Sequence, residues 1–266
     1  MILIEAKGIS YSVQIGKGQY KTIVDDIDLK IEKGSITGII GRNGAGKSSL
    51  IKILSGLIVP TQGDILLDGK DISHYSSREL ALKRSVLSQE IPVSFGLSVL
   101  DILLMGRFPH GNLSLEDYKI VDEVIESLNL NDLLDTSYPS LSGGERQKVQ
   151  FGRALCQLLP FEEEKNRDKV LFLDEPLSAL DLSVQQMILQ RISELVRKYK
   201  LTVVFVLHDL NYIAKHCSKI YLLEKGRCAL EGSSYEVFTE ANLLKYFEVD
   251  TQILKSEQKY PIMIFN

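Results

Sequence analysis

The sequence predicts an α/β fold that carries an antiparallel β subdomain and an inserted α-helical subdomain. Three observations lead there. A short apolar strand, Ile36–Ile40, runs into a glycine-rich loop and then into a helix-compatible stretch. Further short apolar segments alternate with helical ones, as a sheet covered by helices requires. Between about 90 and 165 that alternation stops, and helical patterns at 98–106, 116–128 and 143–158 follow one another without a convincing strand. The chain 1–266 is expected to be a single domain, with about 1–89 and 166–266 forming the core and β subdomain and about 90–165 the helical insert.

Taken in order, residues 2–13 and 23–31 read as strands on either side of Gly16-Lys17-Gly18-Gln19. The period-two spacing of Ile27, Leu29 and Ile31 puts alternate side chains on one face, which predicts a half-buried antiparallel hairpin. After Ile36–Ile40 and its loop, residues 49–57 read as a helix. Strands at 64–67, 85–87, 170–173, 202–207 and 219–223 are then expected to build the α/β sheet. A helix at 183–199 places Val184, Met187, Ile188, Ile192, Leu195 and Val196 on one stripe, the mark of core packing. The mixed acidic and basic run at 162–169 reads as an exposed loop.

Composition bounds the function. With 266 residues the chain can bury a continuous core. Its 31 Lys+Arg against 35 Asp+Glu give a net charge of −4, which argues against a phosphate-tracking nucleic-acid binder. Cys156, Cys217 and Cys228 form no C-x-x-C pair and read as reduced thiols. No apolar stretch approaches the ~18 residues a membrane helix needs, and the N-terminus has no basic region ahead of its four-residue apolar run. Any membrane role is expected to come through a partner.

Gly41 to Ser48 matches G-x-x-x-x-G-K-[S/T], which arises by chance in a chain of this length on the order of once in a hundred. The motif's chemistry is phosphate binding. Backbone N–H groups across Gly41, Asn43, Gly44, Ala45 and Gly46 converge on the phosphates, with the helix starting at Ser48 and Ser49 adding its N-terminal dipole. Lys47 supplies a point charge and Ser48 a hydroxyl for Mg²⁺. The apolar strand 170–173 ends in Asp174 and Glu175, at the carboxyl end of a strand, where open α/β sheets bind ligands. Asp174 is assigned to the Mg²⁺ shell, and Glu175 to accepting a proton from the attacking water. Leu141-Ser142-Gly143-Gly144-Glu145 contains an S-x-x-E capping box and also a helix N-terminus able to expose N–H donors to an anion.

That last signature resembles the one found in ATP-binding cassette (ABC) ATPases, and other motifs arrive in the family's order. Tyr11 fits the aromatic that stacks on adenine, Gln89 the Q-loop, which reaches the Mg²⁺ site, Ser178-Ala179-Leu180-Asp181 the D-loop, and His208 the switch histidine. On their own, Tyr11 also reads as a strand aromatic, Gln89 as a surface-loop residue and His208 as a helix-capping residue. The resemblance spans nearly the whole chain. It implies a P-loop NTPase core of the ABC ATPase type that binds ATP and Mg²⁺. It also implies a homodimer in which the signature helix of one subunit closes on the P-loop nucleotide of the other. Arg42, Leu177 and Lys148 depart from the residues usual in the family, and none of these departures removes a catalytic group.

With one cassette, the chain is most similar to importer ATPases. The stretch from Ser98 through Met105-Gly106-Arg107-Phe108-Pro109-His110 resembles those serving iron-siderophore, haem and cobalamin uptake. Ser137-Tyr138-Pro139-Ser140 and the extra residues at 160–169 resemble the haem importers within that group. The resemblance therefore implies a peripheral ATPase at the cytoplasmic face of the bacterial inner membrane, coupled to two transmembrane permease subunits. A substrate-binding protein would act on it only indirectly, and the transported ligand would not touch it. The alternatives are ferric-siderophore or cobalamin import and, in a different class, a non-transport ABC ATPase acting as a switch on a soluble complex.

Overall fold

The computed structural model describes residues 1–87, 96–159, 168–177, 180–255 and 260–265. The chain divides into two compact units, one built from Met1–His74 with Val203–Asn266 and the other from Tyr75–Thr202.

The first unit opens with β1 (Ile2–Gly16) and β2 (Gln19–Glu32), an antiparallel hairpin. Ile4, Ala6, Ile9, Val24, Ile27 and Leu29 are buried, as the alternation required. The pairing extends past the apolar stretch to Gly16 and Gln19, where polar, exposed residues continue the ladder without a hydrophobic signal. The all-buried β3 (Ile36–Ile40) feeds α1 (Lys47–Leu54), which stops short of the expected 57 because Gly56 turns left-handed at φ 72°. Next come β4 (Gln62–Leu67) and β5 (Lys70–Asp71). Residues 64–67 were expected in the α/β sheet, but β4 pairs antiparallel with β1, giving the order β2-β1-β4-β5. Its burial explains this: Ile65 and Leu67 are inside while Asp64 is exposed, the pattern of a sheet with one face in water.

The second unit contains α2 (Ser77–Lys83), β6 (Arg84–Leu87), α3 (Val99–Met105), α4 (Leu115–Ser127), α5 (Gly143–Leu158), β7 (Val170–Asp174) and α6 (Leu182–Tyr199). β6 and β7 pair in parallel. Within the described residues 96–159 there is no strand, only an isolated bridge between Ser98 and Ser137. The helices of this segment share one start signal. Ser98 with Asp101, Ser114 with Asp117 and Ser142 with Glu145 each close a reciprocal capping box, satisfying N–H groups the helix cannot satisfy itself. The stripe on α6 buries Ile188, Ile192 and Leu195 as expected and adds Leu189, while Val184, Met187 and Val196 are only partly covered.

The chain returns to the first unit with β8 (Thr202–Val206), α7 (Leu210–His216), β9 (Lys219–Glu224) and β10 (Arg227–Gly232). It ends in α8 (Ser234–Val237), α9 (Glu240–Phe247) and the hairpin of β11 (Thr251–Lys255) and β12 (Pro261–Phe265). In this unit β8, β3 and β9 run parallel, and β10 lies antiparallel on β9. Every residue of β3 and β8 is buried, as strands covered on both faces must be. Tyr221 on β9 joins this sheet to the hairpin: its hydroxyl donates to the Lys30 carbonyl (2.8 Å) and accepts from the Lys30 N–H (2.9 Å). No helix among the described residues is long and apolar enough to cross a membrane. The three cysteines are free thiols, with burial pushing Cys156 up to about 12 and Cys228 up to about 11.

Candidate active site

The phosphate-binding motif lies where β3 gives way to α1 in the first unit. Two of its glycines are dictated by close approach. A Cβ on Gly41, at φ 146°, would lie 2.3 Å from the Leu223 carbonyl oxygen, and one on Gly46, at φ 100°, would lie 2.6 Å from that of Ile23. Gly46 is also the N-cap of α1 and gives it no side-chain cap, so the helix start presents peptide N–H groups to the loop. Lys47 is buried, and its Nζ donates to the carbonyls of Gly41 (2.9 Å) and Arg42 (3.2 Å), which holds the ammonium across the mouth of the loop. Asn43 and Gly44 are exposed, Ala45 is packed inside, and Ser48 and Ser49 are half-buried.

Tyr11 sits in β1 opposite Val24, the residue next to the Ile23 whose carbonyl faces Gly46. It therefore stands in the same unit as the loop. His208 follows β8 and is exposed; the cap of α7 is its neighbour Asp209, which accepts from the Asn211 and Tyr212 N–H groups. The helix-capping reading of His208 is thereby replaced. A pocket of about 450 Å³ is lined by Gly41, Arg42, Asn43 and His208 together with Phe247 and Phe265. Arg42 is ion-paired with Glu248, the left-handed residue that ends α9. Phe247, Glu248 and Phe265 escaped the sequence reading because the segment after 224 consists of elements too short to show a period.

In the second unit β7 delivers Asp174, itself buried, at its carboxyl end. Glu175 follows at φ 54°, a left-handed conformation that costs a non-glycine residue on the order of 1–3 kcal/mol. Its carbonyl accepts from Gln147 Nε2 (3.2 Å), a side chain one turn into α5. Gln147 thus ties the helix of the signature to the strand end bearing both carboxylates. No sequence pattern marks an amide that reaches a distant backbone carbonyl, so it was missed.

At the start of α5, Ser142 Oγ donates to Glu145 Oε2 (2.6 Å), Ser142 N–H donates to the same oxygen (2.8 Å), and Glu145 N–H returns to Ser142 Oγ (3.3 Å). These bonds, the Ser142 hydroxyl first, hold the Glu145 carboxyl below its ordinary range. Gly143 faces open space, where an added Cβ would meet nothing within 4 Å, and leaves room for a ligand against the helix start. Asp181 caps α6 by accepting from the Val184 N–H (3.0 Å) and the Ser183 hydroxyl (2.7 Å), and it too is held low, the backbone bond first. Gln89, Ser178 and Ala179 lie outside the described residues, as does most of the run at 162–169.

The predicted site residues therefore fall into two sets. Tyr11, the loop 41–49 and His208 belong to the first unit, while Ser142 to Glu145, Asp174, Glu175 and Asp181 belong to the second. Among the described residues no three His, Cys, Asp or Glu side chains cluster as a metal cage. The oxygens assigned to Mg²⁺ are the Ser48 hydroxyl in the first unit and the Asp174 carboxylate in the second, hard ligands of the kind that holds this ion together with phosphate and water.

Residues 24–178 match the ABC transporter family. The chain is 36% identical over 246 residues to the hemin import ATP-binding protein HmuV of Pseudomonas putida, covering 91% of this chain and 93% of that one. It superposes with TM-score 0.79 on an inward-facing metal-chelate type ABC transporter at 28% identity, covering 100% of this chain and 97% of the other. A dimeric bacterial ABC transporter cassette aligns with TM-score 0.75 at 26% identity, over 87% and 98%.

Proposed function

The chain belongs to the ABC transporter family, and on that premise we propose that it is the ATP-hydrolysing subunit of a bacterial haem importer. It works as a homodimer on two transmembrane permease subunits, peripheral to the cytoplasmic face of the inner membrane. The observation that carries the cargo assignment is the 36% identity to a hemin import ATP-binding protein across 91% of the chain.

Tyr11 stacks on adenine, while Lys47 and the N–H groups of 41–49 bind the β- and γ-phosphates. Ser48 of the first unit, Asp174 and Gln89 are the residues that would hold Mg²⁺, which when bound would neutralise charge developing on the transferred phosphoryl group. Glu175 orients the attacking water and accepts its proton, and His208 contacts the γ-phosphate. Ser142, Gly143, Gly144 and Glu145 of one subunit, with Asp181, complete the site on the other subunit's P-loop. A two-fold dimer then holds two equivalent sites.

Met105, Phe108, Leu113, Leu115 and Tyr118 are all exposed apolar side chains in one stretch of the helical insert, Phe108 at 61% and Leu115 at 82%. This exposed apolar stretch is assigned to the permease. The competing cargo is a ferric siderophore, favoured by the metal-chelate type of the aligned transporter. A strain lacking the gene decides between them: it should lose growth on haem as sole iron source and keep growth on ferric siderophore. Intact haem use with lost siderophore use refutes the haem assignment.

A further inference from the structure

We propose that Arg107 is a positioning residue that locks the permease-docking stretch onto the far end of the signature helix, so that a push on Phe108 is delivered along α5. The inference rests on the docking role just assigned to that stretch, but not on the identity of the cargo.

The contact begins with Gly106, the C-cap of α3. A Cβ there would lie 2.5 Å from the Arg153 carbonyl oxygen and 2.8 Å from the Cys156 Cβ, so the end of α3 touches the backbone of α5. Arg107 comes next and is completely buried. Its Nε donates to Asp117 Oδ1 (2.7 Å), and its Nη1 donates to the carbonyls of Cys156 (2.5 Å) and Leu159 (2.9 Å). Cys156 lies in the last turn of α5 and Leu159 is its C-cap, so both carbonyls sit where a helix lacks internal donors and carries the negative end of its dipole. His110 Nε2 is bonded to the Gln157 carbonyl (3.0 Å), and the Pro109 carbonyl accepts from Arg78 Nε (2.9 Å). Phe108 projects outward from the middle of this clamp.

Burying an ion pair is an expensive way to fill space, since apolar side chains of similar volume pack there at equal or lower cost. What a guanidinium adds is a planar fork that fixes several partners at once. Here it joins the end of α3, the end of α5 and Asp117, which is also the capping-box acid of α4. From the clamp, α5 runs 16 residues, about 24 Å at 1.5 Å per residue. At its other end lie the Ser142 cap and Gln147, bonded to the Glu175 carbonyl. The contacts are continuous from Phe108 to the backbone of Glu175.

The test is the charge-neutral pair Arg107→Met with Asp117→Asn, assembled with the permease in lipid nanodiscs beside wild type. Co-purification with the permease and the ATPase rate of the isolated subunit should stay near wild type. Stimulation of that rate by the permease should fall at least about fivefold, the lower range of ordinary coupling between sites. Undiminished stimulation overturns the proposal, and so does an equal loss of basal and stimulated rates, which marks a merely structural residue. Should the pair not fold, His110→Ala decides: it removes one tie without stranding a buried charge, and undiminished stimulation in it is equally fatal. A wild-type complex that the permease does not stimulate overturns the docking assignment and this proposal together. A stimulated wild type with an equally stimulated variant overturns only the role of Arg107.

Discussion

Glu175 holds its left-handed backbone immediately ahead of Pro176, where ordinary helical conformations are already disfavoured. Retaining such a conformation at the end of a buried strand is consistent with aiming a carboxylate, and Gln147 fixes its backbone from α5. Glu175→Gln keeps the shape and removes the base. ATP affinity should be unchanged while hydrolysis slows by about 10²–10⁴, equivalent to ~3–5 kcal/mol of transition-state stabilisation. With ATP uncleaved the variant should elute from gel filtration as an ATP-dependent dimer, and wild-type turnover would sink the assignment. At this scale the sequence was most informative where one residue type answers one chemical need. The loop glycines, Lys47 and the Asp174-Glu175 pair were all legible. Gln147 and Glu248 were not, because their partners are distant in sequence and no spacing encodes them.

Helix α5 concentrates the same lesson at the scale of elements. Its start was legible from Ser142 and Glu145, and the starts of α3 and α4 carry the same serine-acid signal. The short α2 and the elements after β9 were not legible, since they turn too few times to establish a period, and 64–67 was assigned to the wrong sheet because a four-residue apolar run does not reveal its partner. The packing of α3 on α5 gives a steric prediction. Gly106 has an ordinary φ of −58°, so Gly106→Ala puts no strain on the backbone and acts on the folded state through the clashes with the Arg153 carbonyl (2.5 Å) and the Cys156 Cβ (2.8 Å). It should destabilise the isolated subunit by about 1–3 kcal/mol in thermal or urea denaturation, and an unchanged transition would contradict the contact. Asp117 gives a prediction in pH. Burial works to raise its pKa, but hydrogen bonds from Arg107 and then Ser114 outweigh it and hold the carboxyl below its ordinary range. A folded pKa below the unfolded one contributes stability that is complete above about pH 4 and is lost as pH falls through the folded value. The stability gap between wild type and Asp117→Asn should therefore narrow as urea titrations are taken below pH 4. A gap that widens there would show that the carboxylate is not stabilised by its partners.

Over the whole molecule, the function depends on surfaces that one chain cannot complete. The signature at Ser142–Glu145 is assigned to the nucleotide of a second copy, and the exposed apolar residues from Met105 to Tyr118 to a permease. Phe108→Asp should abolish co-purification with the permease while leaving the melting temperature of the isolated subunit unchanged, because a side chain that is 61% exposed contributes little to the core. Normal assembly and uptake in that variant would place docking elsewhere. The α/β class and the helical insert could be read from the chain because buried parallel strands and capped helices leave strong local patterns. The cargo could be read only through resemblance, since every site residue read from the chain is assigned to nucleotide and Mg²⁺. The most direct test of the central claim is haem accumulation by proteoliposomes that contain the purified chain, its permease and a haem-loaded binding protein, with ATP supplied on the ATPase side. ATP-dependent haem transport that disappears with Glu175→Gln is the expected result; ATP hydrolysis without haem transport, while a ferric siderophore is carried in its place, would contradict it.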